Sequence, residues 1–126
     1  MKRRLKFRKL LSSSNMAIRI EIENLPKELR ERDLKKRLFE VCQKNDIVLM
    51  AIFGSFARGE QNKKSDIDIA IEFEKNSEKS LLDLIRIENE LRKILRRKVD
   101  LGILSSLSPY IIEDVKKEMW IIYEKR

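Results

Sequence analysis

Ile47-Val48-Leu49-Met50-Ala51-Ile52-Phe53-Gly54-Ser55, followed after ten residues by Asp66-Ile67-Asp68-Ile69-Ala70-Ile71-Glu72-Phe73, is the stretch that decides the fold. Seven consecutive apolar residues closed by a glycine predict a central strand buried on both faces. The second run alternates strictly. Ile67, Ile69, Ile71 and Phe73 face one way and Asp66, Asp68, Ala70 and Glu72 the other, the pattern of a strand with a single core face.

Working outward, Ile18, Ile20 and Ile22 alternate with polar residues and predict a short strand. Pro26 suits the first turn of a helix, which carries Leu34, Leu38, Val41 and Cys42 on one face down to Asn45. Cys42 on that stripe reads as core. Downstream, Ser77 is placed to cap a long helix running to about Arg97, with Leu81, Leu84, Leu91, Ile94 and Leu95 turned inward. Val99 to Leu104 reads as a third strand. Ser108-Pro109, a capping residue with proline at the first helical position, opens a helix to about Glu118. Trp120 to Tyr123 either ends that helix or adds a strand. The order implies an α+β protein, an α/β sandwich in which helices pack on a short mixed β-sheet.

Composition narrows the chemistry. A chain of 126 residues fits one domain with a real core, and its longest apolar run falls far short of the roughly 20 residues that span a bilayer. The single cysteine forbids an intrachain disulfide and points to a cytoplasmic setting. There is no histidine, which excludes histidine-held zinc and every catalytic pair built on imidazole. The net charge of +8 is concentrated in residues 1–15, where Lys2, Arg3, Arg4, Lys6, Arg8 and Lys9 stand without an acid, leaving +2 for the rest. This basic leader ends in Ser12-Ser13-Ser14-Asn15, a flexible linker composition, and the folded domain is expected over residues 16–126. The leader reads as a solvated tail, or alternatively as an arm touching nucleic acid or an acidic partner.

Three groups of residues are suited to chemistry. Gly54-Ser55-Phe56-Ala57-Arg58-Gly59 follows the buried strand, and such a turn can aim backbone N–H groups and the Ser55 hydroxyl at phosphate oxygens. Taken alone the signal is weak, since any strand-to-helix turn can use Gly-Ser, and the Gly-Lys-Ser/Thr of a Walker loop is missing. Asp66 and Asp68 project from the same face, about 7 Å apart along the strand. They form either a solvent-facing strand edge or a site bridged by divalent cations. Asp100, between Val99 and Leu101, is a third strand aspartate, where aspartate is disfavoured, or else a hydrogen-bonded strand-end residue. An oxygen-only donor set suits Mg²⁺ or Mn²⁺, and a phosphate cradle beside carboxylate-held metals describes phosphoryl or nucleotidyl transfer.

The spacing of Gly54-Ser55 to Asp66-x-Asp68, with the string Gly-Ser-Phe-Ala-Arg-Gly-Glu leading to Ser-Asp-Ile-Asp-Ile, resembles the nucleotidyltransferase superfamily of DNA polymerase beta. Within it the chain looks like the minimal nucleotidyltransferase branch, with Val99-Asp100-Leu101 where that family carries its third aspartate. The likeness spans residues 18 to 124, and Gly102 departs from the larger apolar residue usual there. The resemblance implies the polymerase beta-like fold and a cytoplasmic antitoxin that transfers AMP from ATP to a hydroxyl, in the tyrosine of a HEPN-domain toxin encoded nearby. It implies a hetero-oligomer with that toxin, Gly54, Ser55 and Arg58 at the triphosphate, and two Mg²⁺ ions held by Asp66, Asp68 and Asp100. Arg58 has a solvent-facing alternative. Competing readings are a binding module that silences the toxin by occlusion through an exposed Trp120–Tyr123 patch, and a standalone enzyme acting on a small molecule.

Overall fold

The computed structural model describes residues 11–13, 16–25, 27, 30, 33–54 and 66–125. In chain order these form β1 (Leu11–Ser13), β2 (Met16–Ile20), α1 (Leu34–Lys44), β3 (Ile47–Phe53), β4 (Ile67–Phe73), α2 (Leu81–Leu95), β5 (Val99–Ile103), α3 (Pro109–Glu118) and β6 (Trp120–Lys125). Among the described residues the strands make a six-stranded sheet in the order β1-β2-β6-β3-β4-β5. Every neighbouring pair is antiparallel except β4 and β5, which run parallel because α2 carries the chain back across the sheet. The expected α+β architecture with a mixed sheet is the one observed.

β3 reads as uninterrupted apolar sequence because both of its faces are covered. Ile47, Met50 and Ile52 join the main core with Leu38 and Val41 of α1, Ile87, Leu91 and Leu95 of α2, and Ile67, Ile69 and Ile71 of β4. Leu49 and Phe53 turn to a smaller core with Ala70, Leu104 and Val115, beneath α3. Cys42 is fully buried in the main core, and burial pushes its thiol well above the usual range, consistent with a packing role.

Several boundaries differ from the sequence expectation for identifiable reasons. The cap of α2 is Ser80 rather than Ser77, because Ser80 has Asp83 three residues on: the Asp83 N–H donates to Ser80 Oγ at 3.3 Å, and the Ser80 N–H donates to Asp83 Oδ2 at 2.9 Å. Ser77 instead donates its hydroxyl to Asp46 at 3.3 Å in the turn after β4. Leu81 consequently faces outward, 71% exposed, and Ile87 takes an inward place. α1 begins at Leu34, since Asp33 before it has φ +64 and interrupts any helix reaching back toward Pro26, itself outside the described residues. Ser12 and Ser13, expected in a flexible linker, pair with Ala17 and Met16 in a hairpin that covers the edge of β2.

The stretch left open as helix end or strand is β6, set between β2 and β3. Trp120, Ile121, Ile122 and Tyr123 are all buried, so they form no surface patch. The large apolar side chains that are exposed among the described residues are Leu81, Leu82 and Ile85 of α2, and Tyr110 and Ile111 of α3. Ser108 caps α3 as expected, its Oγ accepting from the Tyr110 N–H at 3.1 Å with Pro109 next. Among the described residues no helix is long and apolar enough to cross a membrane.

Candidate active site

The alternation of β4 settles the placement of its acids. Because Ile67, Ile69 and Ile71 are drawn into the main core, Asp68, Ala70 and Glu72 must face the opposite side of the sheet. Asp66 lies one residue before β4 begins and is exposed. β5 repeats the arrangement, with Val99 and Leu101 packed on the main core and Asp100 between them exposed. The parallel register pairs Asp68 with Asp100, so the half-buried and the exposed carboxylate project side by side from adjacent strands.

Adjacent strands lie about 4.8 Å apart. Two carboxylates at roughly 5 Å repel by about 3 kcal/mol at an effective dielectric near 20, and by less than 1 kcal/mol in bulk water. A bound cation would turn that cost into a favourable interaction. The donors are carboxylate oxygens throughout, which suits a hard divalent ion such as Mg²⁺ or Mn²⁺. Among the described residues no three acid, thiol or imidazole side chains close into a ready metal-binding group.

Gly54 closes β3 immediately beside this pair. Phe53 is the register partner of Asp68, so the next residue passes against the Asp68 carboxylate. The backbone there is left-handed, with φ +74, and a Cβ on Gly54 would lie 2.3 Å from Asp68 Oδ2. Glycine is therefore required twice over, for the turn and for the close approach. The chain segment proposed from sequence to hold phosphates thus begins in contact with an acid proposed to hold metal. Ser55 and Arg58 lie outside the described residues.

Gly102 extends the same face. It is the register partner of Ala70, and a Cβ on it would meet nothing within 4 Å, so the surface beyond Asp100 is open. Glu72 has a different fate from the aspartates. Its carboxylate accepts from the Ser105 N–H and from Ser105 Oγ, each at 2.9 Å, tying β4 to the 3-10 turn Leu104–Ser106 that follows β5. The sequence reading placed Glu72 on the acidic face but had no signal for its partner, 33 residues away.

A family model described as a nucleotidyltransferase domain matches residues 34–122. The protein adenylyltransferase MntA of Thermococcus cleftensis is 38% identical over 103 residues, covering 79% of this chain and 90% of that protein. A Methanocaldococcus jannaschii protein with a provisional protein adenylyltransferase name is 37% identical over 86 residues, covering 68% of this chain and 90% of its own length. Among solved structures, a provisionally assigned minimal nucleotidyltransferase superposes with a TM-score of 0.57 at 32% identity, over 67% of this chain and 86% of that one. A toxin–antitoxin structure with AMP-PNP superposes with a TM-score of 0.60 at 24% identity, over 71% and 72% of the two chains, a likeness of fold.

Proposed function

The chain belongs to the nucleotidyltransferase domain family, and from that premise we propose that it transfers AMP from ATP to a tyrosine hydroxyl of a partner toxin, as the antitoxin of a HEPN toxin–antitoxin pair. The observation that carries the reading is the register pairing of Asp68 with Asp100 directly beside the side-chain-free Gly54. Similarity to a protein named adenylyltransferase supports the reaction. Likeness in fold to an MNT antitoxin bound to a tri-AMPylated HEPN toxin, at 20% identity, supports the choice of partner. The setting we assign is the cytoplasm, where a lone buried cysteine stays reduced.

In this reading Gly54, Ser55 and Arg58 hold the triphosphate, and Asp66, Asp68 and Asp100 hold Mg²⁺ or Mn²⁺. The ions, when bound, supply charge neutralisation of the pyrophosphate and acidify the acceptor hydroxyl. Gly54 lets the nucleotide approach the backbone where any side chain would intrude. Asp100, exposed on the open side of the pair, receives the acceptor's proton. The acceptor oxygen then bonds to the α-phosphorus while the bond to the pyrophosphate oxygen breaks. Positioning and charge account for most of the acceleration, because the protein forms no covalent bond itself.

The test is intact-mass spectrometry of the toxin from the neighbouring gene after incubation with this protein, ATP and Mg²⁺, beside the Asp66→Asn/Asp68→Asn variant. Mass added in AMP-sized steps, and lost with the variant, is the expected result. No added mass with a stable complex favours occlusion instead. The exposed Leu81, Leu82, Ile85, Tyr110 and Ile111 give that second reading its own candidate surface.

A further inference from the structure

We propose that Glu72 is a positioning residue that holds Asp100 in register with Asp68, an inference that rests on the adenylyl-transfer reading above. β5 is a weak strand by composition. It has five residues, two of which, Asp100 and Gly102, are poor strand formers. Among the described residues its sheet neighbour is β4 alone, through a parallel ladder, the less stable kind per residue. Something has to hold its ends.

The structure holds both. At the start, the Ile67 N–H donates to the Lys98 carbonyl at 2.9 Å. At the far end the ladder stops at Ile71 and Ile103, and the chain turns away into Leu104–Ser106. There Glu72 accepts both the N–H and the hydroxyl of Ser105 at 2.9 Å, continuing the β4–β5 connection one step past the last backbone rung. Bonds to an ionised carboxylate are stronger than ladder bonds between neutral groups. Glu72 lies on the face of Asp68, four residues or about 13 Å along the strand. It touches no reacting group. Its effect on Asp100 passes through five residues of β5 and the turn, which slip or fray when the far anchor is cut.

Partners that hydrogen-bond a metal ligand directly are worth about 10- to 100-fold in metal affinity or activity, and Glu72, which acts through the strand, is expected at the lower end. The experiment uses the full chain with Glu72→Ala, Glu72→Gln and Ser105→Ala. It reads Mn²⁺ affinity by electron paramagnetic resonance with a non-hydrolysable ATP analogue, kcat and KM for ATP, and Tm. Glu72→Ala is expected to weaken Mn²⁺ binding and lower kcat by about 10-fold with KM for ATP held, and Ser105→Ala, which keeps the Ser105 N–H bond to Glu72, to do the same by a smaller factor. Glu72→Gln can still accept from the Ser105 N–H and donate to its hydroxyl, so it recovers most of both. A lowered Tm with Mn²⁺ affinity and kcat at wild-type values overturns the proposal, as does a change in KM for ATP without a shift in Mn²⁺ affinity. If Glu72→Ala fails to fold, Ser105→Ala decides by the same readings, since it removes only the hydroxyl bond. Asp100→Asn separates the two levels. Inactive Asp100→Asn with normal Glu72 variants sinks this inference alone, whereas active Asp100→Asn sinks the reading beneath it.

Discussion

Replacing Gly54 with alanine tests the site by its steric geometry, and two costs add. The backbone at φ +74 is a left-handed conformation that charges a residue with a Cβ about 1–2 kcal/mol. The new Cβ would also stand 2.3 Å from Asp68 Oδ2, where ordinary van der Waals contact begins at 3.4 Å, so the carboxylate has to withdraw by about 1 Å. We expect a stability loss of about 2 kcal/mol, which lowers Tm by roughly 8 °C in a domain of this size. The functional loss is larger, because a 1 Å displacement at a reacting centre costs about 100-fold in rate. Initial rates of AMP transfer from α-labelled ATP, measured well below Tm, keep the two effects apart. Gly102→Ala is the control: its Cβ meets nothing within 4 Å, and an alanine in a strand interior gains about 0.5–1 kcal/mol over glycine. In an Asp68→Ala background Gly54→Ala should keep only its backbone cost, because the atom it strikes is gone. Wild-type rate and Tm in Gly54→Ala, or equal damage from Gly102→Ala, would refute the reasoning.

Three further outcomes follow from the same structure. Ile69, fully buried between β3 and the helices, should cost about 2–5 kcal/mol as Ile69→Ala, read from the urea midpoint at constant slope. The Ser80 backbone N–H, then the Ser80 hydroxyl, hold the Asp83 carboxyl below its ordinary range. A depressed acid stabilises above its unfolded pKa and loses that contribution as pH falls through its folded pKa. The Tm gap between wild type and Asp83→Asn should therefore be widest near neutrality and close in acid below the ordinary carboxylate range. Deleting residues 1–10, which removes six basic side chains, should leave AMP transfer unchanged if the leader stands outside the domain; a lowered rate would place it in partner binding instead.

What could be read from sequence was what neighbouring residues decide among themselves. β3 and β4 announce themselves by an unbroken apolar run and a strict alternation, and Ser108-Pro109 marks the start of α3. Trp120 to Tyr123 could not be assigned, because a short wholly apolar run looks alike as buried helix or buried strand. Only the vacancy between β2 and β3 makes it a strand, and only that position buries it. The cap of α2 lies three residues beyond Ser77, since Ser77 and Ser80 are alike until the acid at Asp83 is weighed. The site followed the same division. That Asp68 and Asp100 sit on strands was legible, whereas Asp66, read as the first residue of its strand, lies one residue before β4. That Asp68 pairs with Asp100, and that Gly54 lies against Asp68, are facts of register set by the α2 crossover and the β3–β4 pairing.

Strand propensity distinguishes the acids of this face further. Asp68, Asp100 and Gly102 each disfavour a strand, and they fall together on one face of two neighbouring strands. A fold that only needed stability would gain from replacing any of them, so their clustering marks a place where local rules yield to chemistry. Glu72 shares the face but not the conflict, because Ser105 satisfies its carboxylate from within the chain. What sets Asp68 and Asp100 apart is their register, which brings two acids opposite each other on adjacent strands, where Glu72 lies opposite none.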